Sequence, residues 1–160
     1  MFLRPFSIDD APTILSWIGN KLDFRKWSAD RYVHFPASPQ DMVAQYDADN
    51  IFPLTAEDSE GRVVGHIMIR FPNMQEPRAR LGFVIVDSRL RGRGLGKELV
   101  RCAVDYAQQK MGAKDISLGV FLNNPSALHC YQSAGFQVVG SESYMIDGEQ
   151  WEGVEMKYNG

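Results

Sequence analysis

The chain has 160 residues, with 17 lysines and arginines against 20 acids and a net charge of −3. That length suits one domain, residues 1–160, burying roughly two-thirds of its unfolded surface, and the faint acidity offers no footprint for a nucleic-acid partner. No apolar run approaches a membrane span, and Met1-Phe-Leu-Arg-Pro-Phe6 reads as domain structure rather than as a secretory leader.

Residues Phe2 to Phe6 are expected to form a first strand. Ser7-Ile-Asp-Asp10 then supplies N-cap chemistry for a helix carrying Ala11, Ile14, Leu15 and Ile18. Trp17, Phe24, Trp27 and Tyr32 fall in a segment of mixed pattern that predicts short helices and loops, with the aromatics either in the core or lining a ligand site. Ser38-Pro-Gln-Asp41 opens another helix to about Asp47. Ile51–Glu57 and Arg62–Phe71 read as strands paired across the turn Asp58-Ser-Glu-Gly61, with His66 as a satisfied or half-buried strand residue. A loop at 72–77 precedes a strand over Ala79–Val86. Leu95, Leu99, Val100, Ala103, Val104 and Ala107 recur three and four apart, which predicts a long amphipathic helix stopped at Met111-Gly112. Ile116–Phe121 is apolar enough for a central strand. Asn124 then suits an N-cap and Pro125 the first helical position of a helix ending at Gly135. Two last strands, Phe136–Ser143 and Trp151–Lys157, pair across Asp147-Gly148. Cys102 and Cys130, both in predicted helices, read as reduced packing residues of a cytoplasmic protein, and no spacing suits a metal.

The most informative stretch is Val84-Ile-Val-Asp-Ser-Arg-Leu-Arg91-Gly92-Arg93-Gly94-Leu95-Gly96-Lys97. A strand here feeds a glycine-rich turn into a helix N-terminus, whose first N–H groups lack intrahelical partners and carry roughly half a positive charge. Arg89, Arg91, Arg93, Lys97 and Arg101 face one acid, Glu98, across residues 88 to 101, so the local field suits a polyanion. Two phosphate motifs fail on spacing. A Walker-type loop needs glycine where Arg91 stands and Ser or Thr where Glu98 stands. A dinucleotide fingerprint counted from Gly92 needs glycine where Lys97 stands.

What remains, Arg91-x-x-Gly94-x-Gly96, resembles the acyl-CoA pyrophosphate loop of the GNAT family of N-acetyltransferases. Asn124-Pro-Ser-Ala127-Leu-His-Cys-Tyr131-Gln-Ser-Ala-Gly135-Phe136 resembles that family's second motif, in the family's order and one helix and one strand later. The resemblance covers residues 60 to 140 well and the first third loosely. It implies an α/β (α+β) single domain whose mixed, mostly antiparallel sheet is flanked by helices, with a parallel strand pair splayed around the cofactor. It implies acetyl-CoA as that cofactor. The backbone amides from Arg91 through Gly92, Arg93, Gly94, Leu95, Gly96 and Lys97 would hold its phosphates, with Arg91 and Arg93 adding charge-assisted contacts. Val84 and Val86 would bond the pantetheine arm through their backbones. Asn124 would contact ligand or cap its helix. Tyr131 would sit beside the sulfur and protonate the leaving thiolate. His129, two positions earlier, points to another helix face.

The family's strand pattern Ala-Glu-Leu-Gly-Phe/Tyr is matched here by Ala79-Arg80-Leu81-Gly82-Phe83, so arginine holds the position of the general base. Glu76, Asp87, Glu142 or water remain as alternatives. Three functions stay open: transfer of acetyl to an amine, acyl-CoA binding without transfer, and binding of some other phosphate ligand. Trp17, Phe24–Trp27 and Gly148–Met156 are similar to the ribosomal-protein N-terminal (Rim-type) branch. The expected acceptor is therefore either an amine-bearing small molecule or a protein N-terminus, and a homodimer is compatible with the reading.

Overall fold

Alternating apolar residues and short turns build one seven-stranded sheet in the computed structural model, which describes residues 1–160. The strands are β1 (Phe2–Pro5), β2 (Ile51–Glu57), β3 (Val63–Arg70), β4 (Arg78–Val86), β5 (Asp115–Phe121), β6 (Phe136–Ile146) and β7 (Glu149–Tyr158), in the order β1-β2-β3-β4-β5-β7-β6. All neighbours are antiparallel except β4 and β5, whose parallel pairing lasts only from Arg78 opposite Asp115 to Arg80 opposite Ser117. Five α-helices complete the fold: α1 (Ala11–Ser16), α2 (Lys21–Ser28), α3 (Pro39–Gln45), α4 (Leu95–Met111) and α5 (Pro125–Ser133). No helix is long and apolar enough to cross a membrane.

Local chemistry explains most boundaries. Ser7 with Asp10, and Ser38 with Asp41, form reciprocal capping boxes, and Asn20 accepts from the Asp23 N–H to start α2. The Ser7 cap opens a single 3-10 turn, Ile8–Asp10, ahead of α1, because Pro12 sits in the first turn of the α-helix. β6 and β7 run three and two residues closer to their turn than expected. Asp147 (φ 49°) and Gly148 (φ 83°) make a tight turn with both central residues left-handed, which matches the twist of the flanking strands.

Each face of the sheet carries its own core. Leu99, Val100, Ala103, Val104 and Ala107 of α4 pack on one face, and α1–α3 cover the other with Ile14, Trp17, Phe24, Tyr32, Met42 and Tyr46. Strict alternation along β4 would put Ala79, Leu81, Phe83 and Ile85 on one face. Instead Ala79 and Leu81 belong to the α4 core, whereas Phe83 and Ile85 belong to the other. The cause is one extra residue: Gly82 lies opposite Met68 and Ile85 opposite His66, so three steps on β4 match two on β3. A bulge of one residue exchanges the faces of everything after it. Phe83 takes up the bulge at φ 51° and is gripped edge-on by Trp27 (5.2 Å), Tyr46 (5.5 Å) and Tyr32 (6.0 Å).

His66 is fully buried, and its Nε2 lies 2.7 Å from the Tyr46 hydroxyl. Burial lowers its pKa to about 4, so the ring is neutral at pH 7. The unfolded chain takes up a proton near pH 6.5 and the folded one only near 4. Stability is therefore expected to be unaffected by this group above pH 6.5 and to fall as the pH drops towards 4, by about 2 kcal/mol between pH 7 and 5. Denaturant titrations at pH 7 and 5 should show that loss in the native chain and its removal in His66→Gln. Equal losses in both would assign the acid sensitivity elsewhere.

Candidate active site

Beyond Arg80 and Ser117 the parallel strands part, and a cavity of about 850 Å³ occupies the gap. One end is walled by the loop after β4 and the start of α5. The other is lined on the α2 side by Trp17, Trp27, Arg31, Tyr46, Arg70 and Tyr144. The cleft thus connects the two faces of the sheet, and the bulge at Phe83 directs β4 along it.

Gly92 (φ 78°) and Gly94 (φ 77°) are both left-handed, a conformation that costs a residue with a Cβ about 1–2 kcal/mol. Gly94 is the N-cap of α4 and contributes no side-chain acceptor, so the N–H groups of the first turn stay open to a ligand. Gly96 has a different reason to be glycine. A Cβ there would come within 3.2 Å of the Cys130 Sγ, so its absence lets α4 and α5 approach. That contact brings Asn124 and Tyr131 up to the loop. Val84, Val86, Arg91, Gly92, Gly94, Leu95, Gly96, Lys97 and Asn124 all line the cavity. Arg93 is exposed and outside its lining. Open helical N–H groups, Arg91 and Lys97 at one end of a cleft suit a phosphate-bearing ligand such as CoA.

Tyr131 lies on α5, 8% exposed, with its ring against Phe136 and its edge on the cavity. Burial pushes its pKa well up, so the phenol remains protonated at any neutral pH. Asn124 caps α5 by accepting from the Ala127 N–H at 3.4 Å and also lines the cavity. His129 is exposed at the rim while Tyr131 is buried, as their two-residue spacing requires.

None of the three acids considered as bases lines the cavity. Glu76 is exposed and pairs with Arg78 (3.5 Å). Asp87 is buried behind the loop, where hydrogen bonds from the Arg89 side chain and N–H hold its pKa below the ordinary carboxylate value. Glu142 is exposed on β6 and accepts from the Tyr144 hydroxyl. Arg80 forms a bidentate pair with Glu155 of β7 (2.9 Å for the Nη2–Oε2 arm) and reaches Ser117 Oγ at 3.3 Å. Its guanidinium crosses β5 over Gly119, where a Cβ would stand 3.1 Å from Nη2. Arg80 therefore clamps three strands at the point where the parallel pair ends.

Sequence reasoning passed over Tyr46, Arg31 and Arg70, which the fold brings to the acceptor side. It also passed over Arg25, a buried residue that donates to Asp147 Oδ2 (2.9 Å) and to the Tyr32 carbonyl (2.6 Å), tying α2 to the β6–β7 turn. The aromatic segment serves two purposes. Trp17, Phe24 and Tyr32 are buried core, and Trp17 and Trp27 also wall the cavity.

The model of the acetyltransferase (GNAT) family matches residues 21–136. A spermine/spermidine N(1)-acetyltransferase of Bacillus subtilis is 35% identical over 86 residues, 51% of this chain and 57% of that protein. An L-amino acid N-acetyltransferase of Escherichia coli is 34% identical over 86 residues, 51% of each chain. This chain thus spans about half the length of these relatives. A solved structure of spermidine N-acetyltransferase from Vibrio cholerae, in complex with CoA and spermine, superposes with a TM-score of 0.81 over 98% of this chain and 93% of that one, at 22% identity. These likenesses turn away from the ribosomal-protein branch. The residues behind that resemblance, Trp17, Phe24–Trp27 and the β7 strand, serve here as packing of the second core and as the last hairpin.

Proposed function

The chain belongs to the GNAT family of acetyltransferases, and from that premise we propose that it moves the acetyl group of acetyl-CoA directly onto a primary amine. One observation carries the reading: a single cleft joins the open N–H groups of α4, the Tyr131 phenol and an α2-side wall of Trp17, Trp27, Arg31 and Arg70. Donor and acceptor can therefore enter from opposite faces of the sheet and meet at the parting of β4 and β5.

The residues divide the work as follows. The loop amides from Arg91 to Lys97 hold the pyrophosphate, and Arg91 and Lys97 supply charge-assisted contacts. Arg93, exposed beside them, screens phosphate at longer range. The backbones of Val84 and Val86 pair with the pantetheine arm in the gap that β5 vacates, and an N–H of the bulge polarises the thioester carbonyl. The amine nitrogen attacks the carbonyl carbon, the C–S bond breaks, and one proton from the amine reaches the departing sulfur through Tyr131. Because burial makes Tyr131 a weak acid, it donates to the sulfur only as it receives from the amine. Arg80, locked to Glu155, removes no proton, and none of Glu76, Asp87 and Glu142 lines the cleft. A cytoplasmic setting fits the two free cysteines.

The acceptor is a small amine rather than a protein N-terminus, since the mouth is walled by Trp17, Trp27 and the α2 segment. Incubation with acetyl-CoA and a panel of polyamines, amino sugars, amino acids and peptides, read by mass spectrometry, tests this. A single added acetyl on one small-amine class is expected. Products on peptides alone would move the acceptor to protein N-termini. CoA binding with no product would favour the rival reading that Arg80 suggests, an acyl-CoA-binding module without transfer.

A further inference from the structure

Arg70, the last residue of β3, lies directly opposite Arg80 in the β3–β4 register. Like charges facing each other across a strand pair are destabilising, and the two are not treated alike. Arg80 is neutralised by Glu155, whereas Arg70 is half-buried with no hydrogen bond or ion pair to any side chain. Arg31, from the loop after α2, adds a third guanidinium to the same wall. Burial, then Arg31 and Arg80, depress the pKa of Arg70, so its charge is held at a cost that nothing in the protein offsets. Lys26 lines this half too, against Asp23 and Asp30, and Asp23 is engaged by the Asn20 amide (3.2 Å).

These cations are distinct from the phosphate loop. Met68 and Gly82 share their face, which is the α2 side, whereas α4 packs on the opposite face. Along β4, Arg80 is also about 20 Å from Val86, where the loop begins. A CoA held by the loop leaves Arg70 and Arg31 for the other substrate. Both are planar donor forks suited to an oxyanion, and at their end of the wall an alkylammonium group meets like charge, although Asp23 and Asp30 also line this half.

Building on acetyl transfer to an amine, we infer that the acceptor is an anionic amine, bearing a carboxylate or phosphate that Arg70 and Arg31 bind, and not a polyamine. On this reading spermidine and spermine, which the names of some relatives carry, are poorer acceptors than an anionic amine.

The test uses amine pairs that differ only in the anion: each α-amino acid with its amide, and phosphoethanolamine with ethanolamine, with spermidine as the cationic reference. Calorimetric titration into the CoA-saturated protein reads binding, and initial rates with acetyl-CoA read transfer. The anionic member should bind at least 10-fold more tightly than its neutral partner, and whichever pair shows this distinguishes carboxylate from phosphate. In Arg70→Met that ratio should collapse towards unity while the melting temperature stays level or rises, because a repulsion is relieved and no protein acceptor is orphaned. A lower melting temperature with the ratio intact would make Arg70 a structural residue and overturn the inference. Acetylated spermidine with no preference in any pair would overturn it and leave acetyl transfer standing. Anion-selective binding without product on any amine would uphold the anion site and overturn the transfer reading alone.

Discussion

Replacing Tyr131 by phenylalanine is expected to lower kcat by about 10²–10⁴-fold with the affinity for CoA kept. The ring packs against Phe136 at 6.4 Å between centroids, a contact that phenylalanine reproduces. The hydroxyl makes no hydrogen bond within the protein, so its removal strands no partner and the melting temperature should hold. That separates chemistry from folding. Stopped-assay rates with acetyl-CoA, beside calorimetry with CoA, provide the check. Full turnover in the variant would remove Tyr131 from proton transfer and leave solvent as the source of the proton on sulfur. A parallel loss of CoA affinity would show instead that the phenol positions the cofactor.

Gly94→Glu should abolish useful CoA binding, weakening it by at least about 100-fold. The position has open space around a new Cβ, so internal crowding is not the cause. Two other effects act. The left-handed backbone at φ 77° costs a side-chain residue about 1–2 kcal/mol. A carboxylate at the N-cap then stands where the pyrophosphate would lie, and a unit charge 4 Å from another costs about 4 kcal/mol at an effective dielectric of 20. The same carboxylate favours the positive end of α4 by about 0.3–1 kcal/mol, which offsets part of that backbone cost in the free protein. Gly94→Ala separates the two effects: it carries the backbone cost without the charge and should weaken CoA by less than about 10-fold. Calorimetry on both variants decides the matter, and unchanged affinity in the glutamate variant would place the phosphate elsewhere.

The anionic-acceptor wall bears on how relatives are used. Sequence likeness between this chain and named polyamine enzymes is concentrated in one half of the chain, about 86 residues. The acceptor wall draws on α2, the loop after it and the end of β3, where the proposal places the charges that select the amine. Family and fold are therefore a poor guide to the acceptor.

Much of this molecule was legible in its residues because the evidence was local. Gly94 and Gly96 at the start of an amphipathic run, Asn124-Pro125 before another, and Asp147-Gly148 between two strands act within a few residues of themselves. Helix starts, the hairpin turns and the phosphate-loop motif followed from that. Five of the six α4 positions read as one apolar face are core for the same reason, since a 3.6-residue period needs no knowledge of partners. Leu95, the sixth, is half-buried and lines the cavity.

Tertiary structure decided whatever depended on register across the sheet. The bulge at Phe83 turns Phe83 and Ile85 away from the face of Ala79 and Leu81, and nothing in an alternating strand announces an inserted residue. Whether Arg80 is a stray charge or a clamp depends on Glu155, 75 residues later, and on the bare backbone of Gly119 beneath it. Gly96 is glycine because of Cys130 on a different helix. Arg70 acquires meaning only when pairing sets it against Arg80. The sequence by itself determined the local geometry that can bind a phosphate. Which charges line the far end of the cleft was settled by long-range pairing, because charges act through space and the chain brings distant residues within a few ångströms.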